Sequence, residues 1–282
     1  MYMKHGLVLL LLALGAGCAS NPSTDGTVKL YVFDCGRLRL DSVTPFGLSD
    51  SETEVRDLSV PCYMVEHPAG RLLWDGGLPS RIAQTPGWHR EGSSFFQQRL
   101  DRSLARQLAT MGLDMTSFDF MAYSHMHWDH VGVANEVENA TLLIQRAEYD
   151  AAFAEKITVS GGFQPELYNR LADAEKIILD GDHDVFGDGR VRIVSAPGHT
   201  PGHQVLLVNL ADYGPVVIGG DLYHFRFNKN NRRVPRFNFS APQTLASMNK
   251  INDLLDETGA EYWIEHELAW FEQLQQAPAF YQ

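Results

Sequence analysis

Short apolar runs alternate along this chain with polar breaks rich in glycine and proline. The runs at 28–33, 60–66, 71–74, 118–123, 141–145, 191–194, 205–209, 216–218 and 261–264 read as strands. Helical spacing appears at 96–111 and most clearly at 240–258. In the second of these, Ser240 and Gln243 form a capping-box pattern, Leu245, Met248 and Leu255 line one face, and Gly259 stops the helix. Periodicity alone therefore gives a mixed α/β chain. Several strands end in clusters of polar, chemistry-bearing residues, which argues for stacked layers with two sheets inside and helices outside. The stretch 36–59 is long for a loop in a compact domain, and loops of that length often serve as lids or subunit contacts.

The N-terminus follows other rules. Lys4 precedes the apolar run 7–14, small residues follow, and then comes Cys18. The run is too short to span a bilayer and reads as a secretory signal. Leu14-Gly-Ala-Gly-Cys18 resembles the cleavage site of bacterial lipoproteins, with the leucine one place early. The pattern predicts a signal peptide at 1–17, a polar tether at 18–27 and one domain at 28–282, exported and held to the cell envelope by a lipid on Cys18, with an uncleaved anchor or a plain secreted form as the alternative. Composition, at 44% hydrophobic and 21% charged, suits a globular enzyme with a substantial core. A net charge of −12 repels phosphate backbones, so no nucleic-acid partner is expected. After cleavage Cys35 and Cys62 would remain. One disulfide would suit an exported protein, but Cys62 lies in an apolar strand and reads more readily as a small buried hydrophobe.

The densest chemistry is Ser124-His-Met-His-Trp-Asp-His130, placed where the run at 118–123 gives way to a loop. Imidazole and carboxylate are the donors that zinc and similar divalent ions accept. Leaving an extended strand, His125 and His127 can face one way while Asp129 and His130 turn another, which suits two neighbouring ions better than one. A histidine-rich surface turn is the bland alternative, and the spacing argues against it. Three later segments add further donors at strand ends. Ser195-Ala-Pro-Gly-His-Thr-Pro-Gly-His203 carries His199 and His203, Val216-Val-Ile-Gly-Gly-Asp221 ends in a carboxylate, and Tyr262-Trp-Ile-Glu-His266 ends in an imidazole.

These four segments resemble the ligand series of the metallo-β-lactamase superfamily, over nearly all of the chain after residue 27. The resemblance implies a four-layer αββα sandwich. It also implies that His125, His127 and His199 hold one ion, that Asp129, His130 and His266 hold the other, and that Asp221 bridges them. Asp75 resembles the family's early strand-end aspartate, and it and His203 are expected to orient ligands rather than bind metal. His67, His89 and His183 read as surface histidines. The cofactor would be two divalent ions, zinc first among them, though iron, cobalt and manganese tolerate such ligands. Such a pair makes water nucleophilic near neutral pH, so ester hydrolysis needs no activated serine or cysteine.

Within the superfamily, the chain is most similar to N-acyl-homoserine lactonases. Lys29-Leu-Tyr-Val-Phe-Asp-Cys-Gly36, Tyr63-Met-Val-Glu-His-Pro68, Gly70-Arg-Leu-Leu-Trp-Asp-Gly-Gly-Leu78, Ala246-Ser-Met248, Trp263-Ile-Glu-His266 and Ala277-Pro-Ala-Phe-Tyr281 carry that likeness. It implies opening of an acyl lactone ring by a hydroxide bridging the two ions, with Asp129 carrying a proton to the leaving oxygen. It also implies that the stretch 36–59 covers the site or forms a homodimer contact. The helper of the oxyanion is expected in Tyr223, or in His224, which stands where these lactonases place a tyrosine. Trp88, Phe95, Phe96, Phe225 and Phe227 are candidates for the wall around the acyl chain. Competing readings are a thioesterase, phosphodiesterase or general esterase of the same superfamily, and a scaffold protein with a vestigial site.

Overall fold

The computed structural model describes residues 26–90, 94–156 and 162–282. The signal peptide, Cys18 and most of the tether lie outside the described residues. Seven strands form the first sheet: β1 (Lys29–Leu40), β2 (Asp57–His67), β3 (Gly70–Trp74), β4 (Phe96–Arg99), β5 (Phe120–Ala122), β6 (Thr141–Gln145) and β7 (Lys176–Leu179). Their order is β4-β1-β2-β3-β5-β6-β7, antiparallel through β3 and parallel from there to β7. The second sheet holds β8 (His183–Asp184), β9 (Val191–Ser195), β10 (Gln204–Leu210), β11 (Gly214–Ile218) and β12 (Glu261–Trp263) in the order β12-β11-β10-β9-β8. The helices are α1 (Leu104–Ala109), α2 (Arg146–Ala152), α3 (Arg226–Asn231), α4 (Ala241–Thr258) and α5 (Leu268–Phe271).

Strand alternation explains the layering. Along β1, Leu30 and Val32 join one apolar cluster while Tyr31 and Phe33 join another. Along β10, Leu206 and Val208 share the first of these clusters, while Val205 and Leu207 face a third with Met248 and Ile251 of α4. Both sheets are therefore apolar on two faces, and each face needs a partner. The shared cluster is the seam between the sheets, and the other two lie under the outer helices. The result is the αββα sandwich expected above.

Apart from β1, which runs on to Leu40, the predicted strand runs appear close to their bounds, and α4 begins and ends as its caps require. The Ser240 side chain accepts from the Gln243 N–H, and Gly259 closes the helix at φ 68°. Leu245 departs from the predicted face and is 38% exposed. The expected helix at 96–111 is corrected: 96–99 pairs with 37–40 of β1, and only α1, capped by Ser103, is helical. An open strand edge outweighs local helical preference there. The long loop is shorter than expected, because β1 runs to Leu40 and β2 starts at Asp57. Its tip, Thr44–Phe46, is a single turn of 3-10 helix that reaches the site described next. Cys35 and Cys62 form a disulfide, so the free, buried Cys62 of the sequence reading is also corrected. Among the described residues no helix is long and apolar enough to cross a membrane.

Candidate metal centre

All seven donors of the sequence reading converge where strands of the two sheets end side by side. The ligand atoms of His125, His127, His199 and Asp221 lie within 4.8 Å of one another, and so do those of Asp129, His130 and His266. Asp221 joins the two groups. Its Oδ2 is 3.0 Å from His199 Nε2 and 3.6 Å from His125 Nε2, while Oδ1 is 2.9 Å from His266 Nε2 and 3.3 Å from His130 Nε2. Each of these side chains is largely or wholly withdrawn from solvent.

In His125, His130, His199 and His266 the far nitrogen is held, which fixes the direction of the near one. His130 Nδ1 donates to Asp75 Oδ2 at 2.8 Å, His199 Nδ1 to Asn238 Oδ1 at 3.0 Å and His266 Nδ1 to the Ser59 carbonyl at 2.7 Å. The Ser124 hydroxyl donates to Asp75 Oδ2 at 2.9 Å, leaving its oxygen to accept from His125 Nδ1 at 3.0 Å. His127 Nδ1 faces His199 Nε2 at 3.1 Å. The Nε2 atoms of His125 and His130 and Oδ1 of Asp221 are buried with no hydrogen-bond partner. Burial without a partner is costly for such groups, and a cation in each cluster would satisfy them all. The donor set is imidazole and carboxylate, so the residues present fit a pair of divalent ions. Burial holds His125 and His127 well below the usual imidazole range, in the neutral form that metal binding requires.

Asp75 sits at φ 56°, a left-handed backbone rare outside glycine, and accepts from the Ser124 N–H at 2.6 Å as well as from His130. His203 donates from Nδ1 to the Ala196 carbonyl and accepts the Asp221 N–H on Nε2, each at 3.0 Å, so it fixes the backbone of the joining carboxylate. Asp75→Asn should weaken metal binding about 10- to 100-fold, because it loses the charge that orients His130. Competition with a chromophoric chelator reads this directly, and unchanged affinity would show that His130 needs no such partner.

Sequence reading missed three supports. Glu148 at the head of α2 accepts the Met126 N–H and the Gly202 N–H, each at 2.8 Å, and so ties the two histidine loops together. Glu265 accepts the Gly220 N–H at 2.8 Å, and burial lifts its carboxyl well above the carboxylate range. Asn238 donates to Thr244 Oγ1 at 2.9 Å while it holds His199. Only Glu265, next to His266, had a neighbour in sequence that could have signalled it.

Tyr223 is corrected. Its ring lies 5.5 Å from that of Tyr262, in the apolar cluster under α4 and away from the site. Residue 223 is extended, at φ −138° and ψ 127°, so the next side chain points to the opposite face. That side chain is His224, 2% exposed, with Nε2 3.0 Å from Asp221 Oδ2 and neither ring nitrogen hydrogen-bonded. Burial pushes its imidazole down to about 4.

Above the donors opens a pocket of about 140 Å³. Leu38, Leu40 and Leu58 line it together with His224, Asp129 and Asp221. Phe95 and Phe96 line it as expected, whereas Trp88, Phe225 and Phe227 do not. Trp88 instead lies under the Arg39 guanidinium at 4.2 Å, and Phe225 and Phe227 belong to the core packing. His67, expected at the surface, is buried and stacked on Phe186 at 4.2 Å.

Comparison with known proteins adds to this geometry. The family profile described as the metallo-beta-lactamase superfamily matches residues 55–258. An N-acyl homoserine lactonase, AttM, of Azorhizobium caulinodans is 29% identical over 263 residues, covering 90% of this chain and 98% of its own. An N-acyl homoserine lactonase of a Bacillus species is 29% identical over 231 residues, covering 80% of this chain and 88% of its own. Among solved structures, an N-acyl homoserine lactone hydrolase with N-hexanoyl-L-homoserine at its catalytic metal centre superposes with a TM-score of 0.76 at 24% identity. It covers 90% of this chain and 99% of that one. AidC, a dizinc quorum-quenching lactonase, gives 0.62 at 18% identity, covering 91% of this chain and 94% of that one.

Proposed function

The chain belongs to the metallo-β-lactamase superfamily, and we propose that it is a dinuclear metal-dependent hydrolase that opens the lactone ring of N-acyl-homoserine lactones. The observation that carries this reading is Asp221, whose two oxygens face two separate clusters of imidazoles. His125, His127 and His199 would hold one ion with Asp221, and Asp129, His130 and His266 the other. Zinc suits these donors best, with AidC as the dizinc precedent. Two such ions supply Lewis acidity and a nucleophilic water near neutral pH.

The protein's own groups complete the chemistry. His224 lines the pocket as a neutral imidazole, so a ring N–H is free to donate to an oxygen of the substrate as charge develops there. Asp129 would border the nucleophilic water from its place among the donors, so its carboxylate can take the proton that water gives up and pass it to the leaving alkoxide. The leucines of the pocket offer an apolar surface to an acyl chain. Purified protein should therefore hold two equivalents of divalent metal and open acyl-homoserine lactones, as followed by proton release. A filled metal site with no lactone turnover, alongside turnover of a thioester or phosphodiester, would reject the reading.

The leader pattern and the paired Cys35 and Cys62 both support export, with Cys18 as the lipidated first residue. Cys18→Ser should move the protein from the membrane to the soluble fraction. Unchanged fractionation, or a mass lacking the lipid in the wild type, would remove the anchor.

A further inference from the structure

The pocket is rimmed by a continuous crescent of aromatic rings. Phe237 lies 5.8 Å from His199 and 5.3 Å from Phe46. Phe46 is 6.5 Å from Phe95, which is 4.6 Å from Phe96, which stacks on Trp128 at 5.1 Å. Three separated stretches of chain, besides the metal-binding loop itself, contribute these rings. Phe46 is at the centre. It also meets the His224 ring edge-on at 4.9 Å, and behind it lies Phe225 at 5.1 Å.

The turn that carries Phe46 is fixed rather than left free. Asn228, fully buried, donates from Nδ2 to the Phe46 carbonyl at 3.1 Å. The Arg236 N–H donates to the Pro45 carbonyl at 2.8 Å. Gly47, at φ 77°, packs so closely on the Val234 carbonyl that a Cβ there would come within 2.6 Å of its oxygen. Arg233 pairs with Glu52 at 2.9 Å farther along the same loop. The 41–56 loop and the 226–237 segment therefore form one wall, tied to the strand end that bears Asp221 and His224.

The geometry points to Phe46 as the residue that sets how long an acyl group the site accepts, with Asn228 as its positioning residue. This rests on the hydrolase reading for the identity of the substrate, but the wall itself does not. An acyl chain leaving the donors must run between Leu38, Leu40 and Leu58 and the aromatic crescent, and Phe46 fills the space in front of Phe225. Removing the ring joins that space to the pocket. A single methylene in such a pocket changes discrimination by about 10- to 200-fold, so an opening the size of a ring should favour long chains clearly.

The test uses two readouts on the metal-loaded protein. One is the ratio of kcat/KM for N-dodecanoyl- and N-hexanoyl-homoserine lactone. The other is the ratio of calorimetric Kd values for dodecanoate and hexanoate, which needs no turnover. In Phe46→Ala both ratios should move toward the long chain by about tenfold or more. Asn228→Ala should move them the same way by less, and Phe46→Tyr should restore the wild-type values. A purely structural role would lower both substrates together and leave the ratios alone. Unchanged ratios in Phe46→Ala that keeps its metal and its melting temperature would overturn the proposal and leave the hydrolase reading standing. Shifted carboxylate ratios in a protein that turns over no lactone would overturn the hydrolase reading and leave the wall.

Discussion

Asp221→Asn should lower kcat/KM for an acyl-homoserine lactone by about a thousandfold or more, with metal content falling toward one equivalent. The substitution keeps the size and shape of the side chain but replaces one oxygen by an amide nitrogen that cannot ligate a cation. Because the two oxygens face different clusters, the nitrogen must be turned toward either His199 and His125 or His266 and His130. The side chain has no third direction open to it. It is 4% exposed, and His203 holds its backbone N–H. One cluster therefore always loses its Asp221 oxygen, and the negative charge among the seven buried donors falls by one. Steady-state kinetics and elemental analysis on the same preparation check this. A variant with two equivalents of metal and near wild-type kcat/KM would show that Asp221 does not join the sites, and the dinuclear reading would go with it.

The parts of this site that were legible in the sequence are those with a local pattern. His125, His127, Asp129 and His130 lie in one loop after one strand, and the turns around His199, Asp221 and His266 also follow apolar runs. A strand end is a place where the backbone stops pairing and side chains can point together, so the run and the donors predict each other. Glu148 has no such mark. It is one acidic residue in a short helix, and its partners are Met126 and Gly202, brought to it only by the closing of the sandwich. Asn238 is the same kind of residue, a single polar side chain whose value depends on a distant imidazole, and the Ser59 group that holds His266 is a backbone carbonyl, which no residue type could signal. The choice between Tyr223 and His224 turned on one residue of phase at the end of β11. The turn Gly220–Leu222 sets that phase, and a hydropathy pattern cannot read it. The strand β4 was missed for a related reason, since its only reason to be extended is the free edge of a β1 that runs farther than its apolar run suggests.

Glu148→Ala should destabilise the protein by about 3–6 kcal/mol, a large share of the roughly 5–15 kcal/mol that holds a typical domain. Its two carboxylate oxygens accept one backbone N–H from each histidine loop, and the residue is 2% exposed, so it and not solvent satisfies those donors. Alanine leaves both donors buried without partners, at about 1–3 kcal/mol each. It also leaves a void, since Gly202 packs so tightly on the residue 148 backbone that a Cβ at 202 would lie 2.4 Å from the Glu148 nitrogen. The loops that carry His125, His127 and His199 would then be free to part, and metal affinity should fall with stability. Glu148→Gln distinguishes bonding from packing. It fills the same volume, but its amide nitrogen meets a backbone N–H, so it keeps one bond and turns the other into a repulsion. Chemical denaturation of the metal-loaded forms should place glutamine between alanine and the wild type. If glutamine matched the wild type, filling the space would be all that Glu148 does, and the coupling of the two loops through its carboxylate would have to be abandoned.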